Sequence, residues 1–116
     1  MANLNQVNLI GHLTRDVELK HAPSGTAVAN FGLAVNRKWR NDKGEDKQDV
    51  VFVEITAWAR IAEVCSEYLH KGSPVFISGR LAMDAWIDKA TNQKRSRLMV
   101  VVESMQLLAA KEANGE

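Results

Sequence analysis

The chain lacks most of the features that mark secreted, metal-binding and membrane proteins. Its single cysteine, Cys65, cannot form an internal disulfide, and it excludes a zinc site built from several thiolates. No run of about 18 apolar residues is present, so a membrane-spanning helix is not predicted. The first residues have no basic leader followed by an apolar segment and a cleavage site. We therefore expect a cytoplasmic protein that has no membrane association.

Excess charge of one sign is also missing. The formal net charge is +1, so binding to a polyanion would depend on local clusters of Lys and Arg. With 46% apolar and 25% charged residues, the composition is typical of a folded globular chain. A length of 116 residues supports one domain with one core. We predict that residues 1–108 form this domain and that residues 109–116, which have no packing pattern, form a flexible C-terminal tail.

Hydrophobic periodicity predicts strands and one short helix. Residues 60–69 have apolar side chains at helical spacing, and Gly72 and Pro74 end the helix and begin the next strand. The polar segments 36–48 and 88–97 are predicted to be exposed loops. The predicted strands are residues 4–13, 26–35, 49–58, a strand that begins at Pro74, and 98–108. This element order predicts an all-β fold with one short helix, specifically an OB-fold five-stranded β-barrel.

The third predicted strand places two aromatic rings on a polar face. A period of two puts Phe52 and Trp58 on the same face as Glu54 and Thr56, not among aliphatic residues. Their Cα atoms would lie on the order of 20 Å apart, which leaves room for several nucleotides along a groove. Phe52 and Trp58 are therefore candidates for a ligand-binding surface.

Two further tryptophans have polar or basic neighbours. Trp86 shares its strand face with Arg80, and Trp39 follows Arg37 and Lys38 directly. Large rings beside cations suit unpaired nucleobases, because every base has a π-face and stacking contributes roughly 1–3 kcal/mol per base. Such binding would tolerate sequence variation and would weaken with salt. Further cations in the predicted loops are Lys43, Lys47, Lys89, Lys94, Arg95 and Arg97.

Each ring also has a structural alternative. A single Trp is as well explained by packing in a core or at a subunit interface, and most charge runs are solvated faces. For Trp39 the alternative is core packing, because its parity matches the predicted core residues Phe31, Leu33 and Val35 unless the strand ends or bulges before it. The combination of four such rings favours stacking over these alternatives.

An enzyme is a poorer interpretation of the sequence. The histidines His12, His21 and His70 lie in separate segments without a partner motif, and Ser24 has no nucleophile elbow around it. Cys65 lies on the apolar stripe of the predicted helix, where a buried thiol is expected. We predict no catalytic residues, no metal site and no cofactor. An OB module that binds RNA or an oligosaccharide remains open, since stacking does not distinguish DNA from RNA.

Three segments resemble the bacterial single-stranded DNA-binding protein family: NQVNLIGHLTRDVEL, PSGTAVANFGLAVNRKW and AEVCSEYLHKGSPVFISGRL. Within them, PSGTAVANF and YLHKGS are specific to that family, and the resemblance extends over almost the whole chain. It implies a homotetramer of OB-folds around which single-stranded DNA wraps. It also implies a role in DNA replication, recombination and repair, in the nucleoid of the cytoplasm. A primosome-type accessory protein is the nearest related alternative.

The resemblance also assigns site residues. It places Trp39, Phe52, Trp58 and Trp86 at the family's stacking positions, and Lys20, Lys38, Arg60 and Lys71 at positions that are commonly basic along the DNA path. The full set of predicted basic contacts is Lys20, Arg37, Lys38, Arg60, Lys71, Arg80, Lys94 and Arg95.

The sequence departs from the family pattern in two respects. Glu54 and Asp84 stand beside the aromatic face where many members have a basic residue, which predicts a lower affinity or a shifted DNA path. The family's acidic C-terminal tip, which recruits replication and repair proteins, is absent. Recruitment of such partners is therefore not predicted from the resemblance.

Overall fold

The computed structural model describes residues 2–108, and the predicted tail at 109–116 lies outside them. The boundary between domain and tail thus stays a prediction. The elements of the described part are β1 (Val7–Leu13), β2 (Glu18–His21), β3 (Ala27–Arg40), β4 (Asp46–Trp58), α1 (Ala59–Tyr68), β5 (Pro74–Asp88) and β6 (Gln93–Leu107). Within residues 2–108 no helix has the length and apolar character needed to cross a bilayer.

Five of the strands close into a barrel. Their order is β1-β5-β6-β4-β3, and β1 pairs again with β3 at His12↔Ala34 and Leu13↔Leu33, which completes the ring. All of these pairings are antiparallel except β4 with β6, which run parallel over two residue pairs. The short strand β2 pairs with the outer edge of β3 and was missed by the periodicity, because all four of its residues are exposed.

The barrel interior is apolar and fully enclosed. Its largest completely buried side chains are Phe31, Leu33, Ile55, Ile77, Val75, Val100 and Cys65. Burying a side chain of this size stabilises a fold by roughly 1.5–3 kcal/mol. Helix α1 covers the barrel with its own apolar face, where Ala62 and Cys65 are buried. The predicted core positions of Phe31 and Cys65 are confirmed.

The two segments predicted as loops are mostly strand, and this part of the prediction was wrong. β3 pairs with β4 without a register shift from Val28↔Trp58 to Arg40↔Asp46, and β5 pairs with β6 as far as Asp88↔Gln93. Both hairpins extend beyond the barrel, where both of their faces meet solvent. We call residues 36–50 the first arm and residues 80–98 the second arm. Residues 36–48 and 88–97 have almost no apolar side chains, so hydrophobic periodicity does not detect the strands in these two segments.

The second arm explains why the apolar face of β5, which carries Val75, Ile77, Leu81 and Met83, is only half buried. Val75 and Ile77 lie in the core, whereas Leu81 and Met83 are 41% and 63% exposed. The register of β5 with β6 shifts between Ser78 and Gly79, and beyond this shift the strand leaves the barrel. Leu81 and Met83 therefore continue the core-facing parity of β5 into solvent.

Candidate nucleic-acid interface

Strand parity defines an outer face on β3 and β4. On β4, Ile55 and Ala57 are buried in the barrel, so Phe52, Glu54 and Trp58 lie on the opposite, outer side. Because the β3–β4 register is continuous, each of these residues shares the outer side with its partner on β3.

Strands β5 and β6 extend the same face. Thr56 pairs with Val101 across the parallel junction, and Val101 pairs with Arg80 on β5. Trp86 lies six residues after Arg80 and therefore on the same side of β5, and it pairs with Arg95 on the second arm. Arg80, Trp86 and Arg95 therefore lie on the outer face together with Phe52 and Trp58.

Three of the four predicted stacking rings are exposed on this face. Phe52 is 70% exposed, Trp58 46% and Trp86 44%. Buried rings would have offered no surface to a base, whereas these can be reached from solvent. The geometry therefore permits the predicted stacking at Phe52, Trp58 and Trp86.

Trp39 lies on the other side of the hairpin. The register continues through Arg40 without a bulge, so Trp39 has the same parity as the core residues Phe31 and Leu33. It is nevertheless exposed, because β3 has left the barrel at this point. Trp39 borders an open groove of about 560 Å³, which is lined by Lys38, Trp39, Asp46, Lys47 and Gln48. The structure thus separates Trp39 from the other three rings by the thickness of the first arm.

The predicted basic residues divide in the same way. Lys20 pairs with Val28, which itself pairs with Trp58, and this places Lys20 on the outer face. Lys38 has the outer parity as well, whereas Arg37 lies on the side of Trp39. On the second arm, Lys94 has the opposite parity to Arg95 and lies away from the outer face.

The remaining two predicted cations lie at the two ends of helix α1. Arg60 lies in its first turn with a side chain that is 86% exposed. Lys71 follows the helix, and its backbone N–H donates to Asp16 Oδ1 at 2.8 Å. Neither residue belongs to the strands that form the outer face.

Several predicted cations already have carboxylate neighbours. The pairs are Lys20–Glu18 at 3.5 Å, Arg37–Asp49 at 3.9 Å, Arg60–Glu63 at 3.8 Å, Arg80–Glu103 at 3.6 Å and Arg95–Asp88 at 3.4 Å. Exposed pairs of this kind contribute about 0–1 kcal/mol. A phosphate can therefore replace the carboxylate at small cost.

The two carboxylates that depart from the family pattern each hold an arginine. Glu54 accepts a hydrogen bond from Arg15 at 2.8 Å, and Asp84 lies 3.7 Å from Arg97. The Arg97 guanidinium is also 5.7 Å from the Trp86 ring centroid. Arg15 was not among the predicted site residues, and Arg97 was named only as one of the loop cations. The contact of Arg97 with Asp84 depends on the cross-strand pairing of the second arm, which the sequence did not predict.

Potential metal ligands and the one thiol are further candidate sites in the described part of the chain. Residues 2–108 contain no group of three or more His, Cys, Asp or Glu side chains placed to hold a metal ion. Burial raises the pKa of the Cys65 thiol to about 11, so it stays protonated near neutral pH. Its Sγ donates to Met105 Sδ at 3.3 Å inside the fold.

A closed five-stranded barrel with a helix between β4 and β5 is an OB-fold, as the sequence predicted. The molecule is thus an OB-fold protein with an exposed aromatic and basic face. The model of the single-strand binding protein family matches residues 4–108, and the chain belongs to this family.

Relatives and solved structures agree with this assignment. The chain is 44% identical over 110 residues to the single-stranded DNA-binding protein of Wolinella succinogenes and 45% identical over 112 residues to that of Helicobacter hepaticus. These matches cover 95% and 97% of this chain but 67% and 65% of the relatives, so the chain spans about two thirds of their length.

Two solved structures have the same fold. A deletion mutant of the Thermus aquaticus single-stranded DNA binding protein matches with a TM-score of 0.81 and 29% identity, over 93% of this chain and 52% of that one. The Plasmodium falciparum SSB in complex with ssDNA also has a TM-score of 0.81, with 25% identity, over 94% of this chain and 98% of that one.

Proposed function

We propose that this protein binds single-stranded DNA with little sequence preference and protects it during replication, recombination and repair. The observation that carries the proposal is the placement of Phe52, Trp58 and Trp86, exposed together on the outer face of the barrel. Similarity to proteins named single-stranded DNA-binding proteins, and to one solved with ssDNA, supports DNA as the ligand. Residues 1–108 form the binding domain in this proposal.

The mechanism is binding without chemistry on the DNA. Bases stack on the exposed rings, and the arginines and lysines around them contact phosphates. Every base has a π-face, so stacking selects single strands without reading their sequence. The protein acts in the cytoplasm, at the nucleoid, and uses neither a catalytic residue nor a cofactor.

We further propose that the protein is a homo-oligomer, with a tetramer as the expected state. The side of the second arm opposite the outer face is apolar and exposed, with Leu81, Met83, Ile87 and Leu98 each at least 41% accessible. An apolar patch of this kind on one chain marks an interaction site, and a second copy would bury it. A mass measurement in solution should give four times 12.9 kDa. A dimer would favour the primosome-type alternative.

A fluorescence titration tests the proposed function directly. Because three tryptophans are exposed, oligothymidine should quench their emission strongly at low salt and weakly at high salt, whereas duplex DNA should quench little. An equal response to duplex and single strand would contradict the proposal. Oligouridine in a parallel titration tests the RNA alternative, since tighter binding to oligouridine would make RNA the ligand.

A further inference from the structure

The turn after β1 borders the edge of β3 at Gly32, and the side chains of Thr14 and Arg15 reach over this residue. The Thr14 backbone N–H donates to the Gly32 carbonyl at 2.9 Å. A Cβ at position 32 would overlap the Thr14 hydroxyl and lie 2.9 Å from Arg15 Nη1. The missing side chain at Gly32 therefore makes room for the turn and for the Arg15 guanidinium on this strand.

Glu54 fixes the guanidinium at that position. Gly32 pairs with Glu54 across the β3–β4 ladder, and Arg15 Nη2 donates to Glu54 Oε2 at 2.8 Å. Along β4, Glu54 lies two residues after Phe52 and four residues before Trp58, on their face of the strand. At about 3.3 Å per residue, the guanidinium is held in the roughly 20 Å interval between the two rings.

The held arginine still has free capacity for a ligand. A guanidinium has five N–H donors, and the bond to Glu54 uses one of them. The Arg15 side chain is 47% exposed, whereas that of Glu54 is 20% exposed. The carboxylate thus lies beneath the guanidinium, whose remaining N–H groups can meet a phosphate or the edge of a base.

We propose that Arg15 contacts single-stranded DNA and that Glu54 is the residue that positions it. Glu54 then does not repel the DNA, but presents a cation between Phe52 and Trp58. The inference rests on the proposed function, because it names a contact within the same interface. The opposing model is that Glu54 neutralises Arg15 and keeps it from the DNA.

A double-mutant cycle distinguishes the two models. Affinity for oligothymidine is measured by tryptophan quenching at several salt concentrations in the wild type, R15A, E54Q and the double variant. We expect R15A to lower affinity about tenfold at low salt, and to reduce the slope of log K against log salt by about 0.7. In the E54Q background R15A should lower the affinity for oligothymidine by a smaller factor, because an arginine that Glu54 does not position contributes less to binding.

The sign of the coupling decides the outcome. If Glu54 only masks Arg15, R15A will lower the affinity little in the wild type and more in the E54Q background. This result would overturn the proposal. An R15A variant with unchanged affinity and salt slope would overturn it as well. Loss of oligothymidine binding by the wild type would instead refute the proposed function.

Three controls keep the cycle interpretable. R15K retains the charge without the planar fork and should lie between the wild type and R15A. E67Q removes an exposed carboxylate from α1, and it measures how much the loss of any one negative charge raises the affinity for oligothymidine. Thermal unfolding of every variant verifies that the fold is intact.

Discussion

The guanidinium carbon of Arg37 lies 4.2 Å from the centroid of the Trp39 ring. Asp49, which is directly opposite on β4, lies 3.9 Å from the same guanidinium. The second arm has a similar group, in which Arg97 lies near both Trp86 and Asp84. Each arm therefore places an arginine beside its exposed tryptophan.

Substitution of Arg37 should weaken DNA binding in a salt-dependent way. R37A removes one cation and the support of the Trp39 ring, so the slope of log K against log salt should fall by about 0.7. D49N keeps the cation and removes its competing carboxylate, so its affinity should equal or exceed that of the wild type. Quenching titrations at several salt concentrations measure both effects. Identical slopes for R37A and the wild type would show that Arg37 contacts no phosphate.

Substitution of Phe52 should affect binding without affecting stability. Loss of one stacking ring in F52A should cost about 1–3 kcal/mol of binding free energy, or roughly 5- to 150-fold in affinity. Its free energy of unfolding should change by less than about 0.5 kcal/mol, since the ring is exposed. F52W should retain binding. The matched core variant F31A should lose about 3–5 kcal/mol of stability. A destabilised F52A would place the ring in the fold and not in the interface.

Stability should fall at alkaline pH because of Cys65. Burial raises the pKa of this thiol from 9.0 to about 11, so between these values the native state keeps a proton that the unfolded chain has lost. Stability is thus complete below pH 9, and by pH 11 the loss should reach about 2–3 kcal/mol. Denaturant unfolding of the wild type and C65A across this range measures the effect. Parallel pH profiles for the two proteins would contradict it.

Ala59 should tolerate glycine with a gain in stability. Its φ of 57° lies in the left-handed region, which costs a residue with a Cβ about 1–2 kcal/mol. A59G relieves this cost but adds about 0.4–1 kcal/mol of unfolded-state entropy. The free energy of unfolding should therefore rise by about 0.5 kcal/mol, as measured by denaturant titration. A clear loss of stability would mean that Ala59 contributes packing that outweighs its strain.

The sequence predicted the parts of the fold that depend on burial. The alternation around Phe31 and Ile55 and the helical stripe of Cys65 are imposed by a water-free interior, so they leave a periodic pattern in the chain. Residues 36–48 and 88–97 of the arms, and β2, leave no such pattern, because solvent on both faces accepts any polar residue. Their pairing depends on backbone hydrogen bonds, which every residue type except Pro can donate.

In the candidate site, too, the sequence predicted the residues that leave a local pattern and missed those that depend on tertiary structure. Phe52, Trp58 and Trp86 were identified because rings on a polar face break the expected alternation. The side of the hairpin on which Trp39 lies depends on whether β3 continues past Val35 without a bulge. The residues around Trp39 do not determine this. The pair of Arg15 and Glu54 joins residues 39 positions apart through the space left by Gly32, and only the tertiary structure brings them together.

The parallel junction of β4 with β6 spans two residue pairs, whereas the β3–β4 and β5–β6 hairpins are paired over most of their length. Hairpins join residues that are near one another in the chain, so little loop-closure entropy opposes their formation. The parallel junction must instead bring together strands that are separated by the whole of α1 and β5. The order of assembly follows from this difference. The two hairpins should form early as separate units, and the step that limits the folding rate should be the late closure of the ring, which pairs Ile55 with Val100 and β1 with β5.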